Sequence, residues 1–342
     1  MFAHVSGYGW PGYAAARRLG GMEAFQGVVT TGIYCLPPCP GRPLSENVVP
    51  FASAAGAEAA GFRACHRCRP YRGDQRPSNA SELVCHAVDL IASGVLDSSN
   101  EADLAARLAV SERHLRRMFR EQVGATPDQL ARSRRAHFAR RLLDDTDLSV
   151  TDIAFAAGFG SLRQFNRVMV ATFRATPQEL RTRRRRADRL VADGGIALRV
   201  PLPEPVQLDR RLSELARTAI RGIEHVTVEH YRRTVSMDGA PGVIDISADA
   251  SGHPLLVAHL PRLEGLLHLV AQVQWLLGGG TWDPHEADVR IMVMDNVGAA
   301  AAPGVLAEIV ERHGAPINGL GRFGLTHLFP TAIALAGADL NT

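Results

Sequence analysis

The chain has 342 residues, 46% of them hydrophobic, and a formal charge of +3 at pH 7. That length and apolar content exclude a disordered or fibrous polymer and predict two or three globular domains. The sequence shows neither a charged-then-apolar signal segment nor an apolar run long enough to span a membrane, so the expected setting is the reducing cytoplasm, with no membrane partner. The charge is unevenly spread: arginines outnumber acids 19 to 11 over residues 101–189, against 8 to 7 before them and 11 to 17 after. There is no lysine, so every permanent side-chain cation is a guanidinium, which suits phosphate recognition and is explained equally well by genome composition.

Residues 1–24 are Gly- and Ala-rich, and Tyr8 and Trp10 receive no role. Phe25 to Tyr34 is β-branched enough to predict one strand that delivers Cys35 to a turn. Cys35-x3-Cys39 is followed, after twenty-five residues, by Cys65-x2-Cys68. Each short-spaced pair can bite one edge of a tetrahedron, so the pattern predicts a four-thiolate zinc site. Disulfides are the alternative, disfavoured by the reducing compartment. Spacing alone favours a purely structural zinc. Four thiolates on Zn²⁺ nevertheless carry a formal charge of −2, and a metal-held thiolate stays deprotonated and nucleophilic at neutral pH. Cysteines of a C-x2-C knuckle commonly accept backbone N–H bonds that drain their basicity. Prolines 37, 38 and 40 donate none, so the Cys35/Cys39 pair is the expected source of a reactive thiolate.

TTGIYC-x3-C, then NV, then AAGFRACHRCRP resemble the N-terminal domain of Ada-type alkylation-response proteins. The resemblance implies that Cys35 is both a zinc ligand and the acceptor of a methyl group from a methylphosphotriester in DNA. Cys39, Cys65 and Cys68 would complete the ligand set, and Thr31, Arg42 and Arg63 would contact the DNA backbone. Two positions depart from that pattern: Leu36 stands where an arginine is usual and Pro40 where some members carry another. The implied enzyme is a stoichiometric methylphosphotriester-DNA–protein-cysteine S-methyltransferase acting by in-line displacement, without a general base. Its thioether product is neutral, taking the cluster from −2 to −1. At an effective dielectric near 20, one charge at about 8 Å is worth roughly 2 kcal/mol, on the order of thirtyfold in DNA affinity.

YRGDQRPSNA (71–80) reads as a polar linker. From Ser81 to about Arg186 the pattern is helical and internally repeated: LAARLAVSERHLRRMFREQVGATPDQL (104–130) matches IAFAAGFGSLRQFNRVMVATFRATPQEL (153–180). Ser111, Ser161, Thr126 and Thr176 read as helix N-caps, with Pro127 and Pro177 at first helical positions. Two helix-turn-helix units follow. In the first, Leu115, Met118 and Phe119 are expected inward, leaving Arg113, Arg116, Arg117 and Arg120 outside. In the second, Leu162, Phe165 and Met169 are expected inward, leaving Arg163, Gln164 and Arg167 free. A solvated charged face is the plainer reading of either helix; the duplication favours entry into successive major grooves. The segment resembles the AraC-type transcription-regulator domain. Cys85 is expected to be a small buried hydrophobe, and RTRRRRADR (181–189) a basic linker able to add phosphate contacts.

After Gly195 the sequence predicts an extended IALRVPLPEP, an amphipathic helix over LDRRLSELARTAIRG, strands over HVTVEHYRRTVSM, GVIDISAD and PLLVAHL, and an apolar helix over RLEGLLHLVAQVQWLLG. EHYRRTV and LPRLEGLLHLVAQV resemble the N-terminal domain of the 3-methyladenine DNA glycosylase (AlkA-type) family, and residues 282–342 the opening of its helical domain. No counterpart of that family's helix-hairpin-helix and following aspartate precedes Thr342. Asp295 and Asp339 are expected to be surface carboxylates, and no glycosylase activity is expected. No PCHR-type motif of an alkylguanine acceptor is present.

The expected fold is multidomain. Residues 1–75 form a small α+β zinc module, 81–187 an all-α double helix-turn-helix domain, 196–280 an α+β glycosylase-like N-terminal domain, and 281–342 a partial helical region. The expected function is adaptive-response DNA repair joined to transcriptional activation, with one Zn²⁺, with double-stranded DNA (methylated backbone and promoter sites) and RNA polymerase as partners. A DNA-binding regulator with structural zinc and a base-excision glycosylase are the alternatives.

Overall fold

The computed structural model describes residues 25–41, 43–73, 77, 80–202 and 206–336. Tyr8, Trp10, Arg42 and Asp339, all named from sequence, lie outside them. The chain divides into two compact units: Met1–Asp144 with Leu148–Arg184, and Asp145–Asp147 with Arg185–Thr342.

The first unit opens on a four-stranded sheet ordered β3-β1-β2-β4, with β1 at Phe25–Val28, β2 at Ile33–Cys35, β3 at Val48–Phe51 and β4 at Arg63–Ala64. The single strand expected from Phe25 to Tyr34 is instead a hairpin. Gly32 takes a φ of +62° and its N–H reaches Val28 O at 2.9 Å, closing a turn that β-branched neighbours alone do not permit. The hairpin sets Cys35 opposite Gln26, and β4 then pairs parallel to β2 with Ile33 beside Arg63 and Tyr34 beside Ala64. Helix α1 (Ala54–Ala59) is capped by Ser53, whose Oγ accepts the Gly56 N–H at 2.9 Å.

Tyr71 is not linker: it is 1% exposed, and its hydroxyl donates to Asp144 at 3.0 Å. An aromatic side chain with a partnered hydroxyl buries well, which a polar-stretch reading overlooks. The helices follow as α2 (Glu82–Ala92), α3 (Val95–Ser98), α4 (Glu101–Arg107), α5 (Glu112–Gln122), α6 (Pro127–Asp145), α7 (Val150–Ala156), α8 (Leu162–Phe173) and α9 (Pro177–Thr182). Val84, Leu104, Leu115, Phe119 and Leu130 share one core around the first helix-turn-helix unit. The four caps form: Ser111 receives the His114 N–H, Ser161 that of Gln164, Thr126 that of Gln129 and Thr176 that of Glu179. Two inward expectations fail. Cys85 is exposed, because Val84, Ala87, Val88 and Ile91 already supply the buried face of α2. Leu162 is 37% exposed, because it starts α8 while Phe165, Val168, Met169 and Phe173 fill the core beneath.

The second unit holds a five-stranded antiparallel sheet ordered β5-β9-β8-β7-β6, with β5 at Ile196–Arg199, β6 at Glu224–Val226, β7 at Tyr231–Met237, β8 at Ala240–Ala248 and β9 at Pro254–His259. The strand expected over HVTVEHYRRTVSM is two, broken where Thr227 Oγ1 accepts the N–H groups of Glu229 and His230. Helix α10 (Leu208–Thr218) ends before the expected Gly222, since Ala219 is already extended. Helices α11 (Leu266–Leu277), α12 (Pro284–Val297), α13 (Ala302–His313) and α14 (Ala332–Ala336) follow among its described residues. Val289 and Val293 of α12 pack with Leu306 and Val310 of α13. Arg233 of β7 is 1% exposed and bonded to Glu286 of α12 at 2.6 Å, with its guanidinium 4.2 Å from the Trp282 ring centroid. No described helix is long and apolar enough to cross a membrane.

Candidate metal centre and nucleic-acid interface

The two cysteine pairs meet because β2 and β4 are neighbours. Cys35 ends β2, and the Cys65 N–H donates to Tyr34 O at 3.0 Å just beyond β4. Arg69, at φ 52°, turns the chain back so that its N–H reaches Cys65 O at 3.0 Å, which closes the knuckle carrying Cys68. The four sulfurs of Cys35, Cys39, Cys65 and Cys68 lie within 4.8 Å of one another. A tetrahedron with Zn–S bonds near 2.3 Å has edges of about 3.8 Å, so the donor set fits zinc with little adjustment.

The sulfurs alone cannot all ionise. The Cys35 thiol is held well above its ordinary value by hydrogen bonding to Cys68, burial and the sulfur of Cys39, while the bond from Cys35, opposed by burial, brings Cys68 down to about 5. A divalent cation removes that mutual repulsion, and the cluster holds one zinc ion. Backbone donors are unevenly shared. The Arg67 N–H lies 3.4 Å from Cys65 Sγ, and the N–H groups of Gly41 and Leu36 serve Cys39 and Cys68. The expectation grouped Cys35 with Cys39, but Gly41, just past the prolines, reaches Cys39 and sets the two sulfurs apart.

Cys35 and Cys39 border a groove of about 610 Å³ that also carries Thr31 and Arg63. Thr31 is exposed at the hairpin tip with its hydroxyl donating to Val28 O at 3.3 Å, and Arg63 is half-buried with Nη1 3.3 Å from Ala64 O. Sequence reading passed over Gln26, Asn47, His66 and Arg67, which line the same groove. His66 and Arg67 sit inside the C-x2-C knuckle, so their place was legible. Gln26 and Asn47 arrive only through strand pairing. Burial, together with the charges of Arg63 and Arg140, holds the His66 ring below its ordinary value.

The second helices of the two helix-turn-helix units, α5 and α8, present different faces. On α5, Arg113, Arg116 and Arg117 are exposed, but Arg116 is engaged by Glu101 and by Glu112 at 2.9 Å, and Arg117 lies 3.1 Å from His114. On α8, Arg163 and Arg167 are exposed and Gln164 is half-buried. Asp295, on α12, is exposed as expected.

A four-cysteine zinc module joined to a duplicated helix-turn-helix, followed by an α+β unit, defines a metal-dependent DNA-binding protein. The Metal binding domain of Ada matches residues 19–71, the Helix-turn-helix domain residues 104–183 and the AlkA N-terminal domain residues 197–302. A "Probable bifunctional transcriptional activator/DNA repair enzyme AlkA" of Mycobacterium tuberculosis is 34% identical over 348 residues, covering 91% of this chain and 70% of that protein. The "Bifunctional transcriptional activator/DNA repair enzyme Ada" of Escherichia coli is 36% identical over 155 residues, 45% of this chain and 43% of that protein. The AdaA enzyme of Bacillus subtilis, of the same description, is 30% identical over 160 residues, 46% and 74% of the two chains. The chain belongs to the Ada/AlkA family of bifunctional transcriptional activators and DNA repair enzymes.

Proposed function

We propose that this protein detects alkylated DNA by methylating itself. Cys35 takes the methyl group of a DNA methylphosphotriester, and the charge lost switches the double helix-turn-helix domain to tight promoter binding that activates alkylation-defence genes through RNA polymerase. The observation that carries the reading is the position of Cys35: a member of the four-sulfur cluster that also faces a groove lined by Thr31 and Arg63.

Bound zinc supplies one thing, keeping the sulfurs ionised at neutral pH. The chain does the rest. Arg63 and the Thr31 hydroxyl offer donors to phosphate oxygens along the groove. A lone pair of Cys35 Sγ forms the S–CH3 bond as the CH3–O bond breaks, and the bonding electrons leave on the phosphodiester oxygen. No proton moves, so no general base is required. The phosphodiester is too weak a nucleophile to reclaim the methyl group, so each chain reacts once. The cluster loses one negative charge; with an effective dielectric near 20 and a separation of about 8 Å, DNA binding gains roughly 2 kcal/mol, on the order of thirtyfold. The exposed arginines of α5 and α8, with Gln164, would then contact base edges and phosphates in successive major grooves.

The test is to incubate the protein with methylated duplex and weigh it. One methyl mass on the Cys35 peptide, with one zinc per chain, is expected. Zinc without mass gain would reduce the site to a structural one. Cys35→Ala should abolish both the mass gain and the affinity response to methylated DNA in a shift assay.

A further inference from the structure

Two buried polar groups and one half-buried carboxylate converge between the zinc module and the helix-turn-helix domain, and the chemistry above uses none of them. Tyr34, the residue before Cys35, is fully buried on β2. Its hydroxyl donates to Glu58 Oε1 at 2.7 Å and lies 3.1 Å from His137 Nε2. His137 Nε2 is itself 2.5 Å from Glu58 Oε1. Glu58 comes from α1 and His137 from α6, the long helix between the two helix-turn-helix units, where it is 2% exposed.

The contact continues toward a reading helix. The His137 ring lies 5.9 Å from that of Phe173 on α8, and Phe173 meets Tyr71 edge-on at 5.8 Å. The same junction is closed elsewhere by Ser53 Oγ donating to Val123 O at 2.7 Å. An apolar filling would serve cohesion alone at lower desolvation cost; a satisfied polar cluster fixes orientation, because its bonds hold at only one alignment of the three elements.

We propose that Tyr34, Glu58 and His137 form a positioning triad that locks the strand ending in Cys35 onto α6, so that the sulfur and the two reading helices address one DNA duplex as a rigid body. The proposal rests on the self-methylation reading given above. With the triad intact, phosphate contacts at the sulfur and contacts at α5 and α8 are made together. With it loosened, they become two tethered binding events, and the second is gained only at the effective concentration the tether sets. The chemistry at Cys35, which draws on the metal-held sulfur and on Arg63 and Thr31 but on no member of the triad, is untouched.

The experiment uses the full chain and random-sequence duplex treated with a methylating agent. Single-turnover methyl uptake by the Cys35 peptide is followed by mass at increasing duplex concentration, for wild type, Tyr34→Phe, His137→Ala and His137→Gln. We expect Tyr34→Phe and His137→Ala to bind one zinc and reach the wild-type saturating rate within twofold, but to need about tenfold more duplex for half-saturation. His137→Gln, which keeps a side-chain N–H toward Glu58, should recover most of that loss. Variants that half-saturate where wild type does, with only a smaller reactive fraction, would show a triad that merely supports the fold, and the proposal fails. A wild-type chain that takes up no methyl group removes the reading beneath it, a result distinguishable from failure of the triad alone.

Discussion

Arg233 shows how an interior charge depends on its partners. Burial works against its charge, but Glu286, Tyr231 and Glu224 together hold its pKa above the ordinary value. Arg290 adds bonds of 2.7 Å to both Glu224 and Glu286. Deleting one carboxylate therefore leaves a guanidinium stranded in the interior. Glu286→Ala should cost about 3–5 kcal/mol in urea denaturation of the second unit. A loss under about 1 kcal/mol would mean that water reaches Arg233. Gly56 answers to space rather than charge: a Cβ there would sit 2.7 Å from Val123 O and 3.3 Å from Gly124 Cα, both backbone atoms. Gly56→Ala should destabilise the first unit by about 1–3 kcal/mol, read from its denaturation midpoint.

Among elements, the paired helices α5 and α8 obey one local grammar and differ in surface. Each starts from a serine that accepts the third residue's N–H, at 3.2 Å in both cases. Ser161→Ala should therefore cost about 1 kcal/mol by thermal or chemical unfolding, and Ser161→Gly only a few tenths. The outer faces diverge: α5 shows charge alone, with Arg116 engaged by two acids, whereas α8 mixes Arg163 and Arg167 with exposed Leu162 and Val170. Heptad-like spacing predicted Leu162 inward, but a residue at the very start of a helix lies above the core rather than against it, and the spacing rule carries no knowledge of where the helix meets its neighbours.

At the scale of the molecule, the four-cysteine cluster ties the end of β2 to the knuckle that follows β4 in the first unit, while the second unit has its own sheet and its own cluster around Val289, Leu306 and Val310. Metal binding free energy is folding free energy for the unit that holds the ligands. A strong chelator should lower the unfolding midpoint of the first unit and leave that of the second unchanged in calorimetry. A shift of both transitions would show that the units do not unfold separately.

The sequence by itself determined the four-cysteine cluster, the repeated helix-turn-helix pattern, its caps and the strand-rich character of residues 196–259, because those rest on spacing, periodicity and local hydrogen bonding within a few residues. The tertiary structure decided the rest. Gly32 breaks one expected strand into the hairpin that sets Gln26 opposite Cys35. Tyr71 leaves a polar stretch for a buried bond to Asp144, Cys85 stays outside a core already filled, and Tyr34 meets His137 across more than a hundred residues of chain. Each of these depends on which elements become neighbours, and contacts between distant segments leave no periodic trace in the residues that make them.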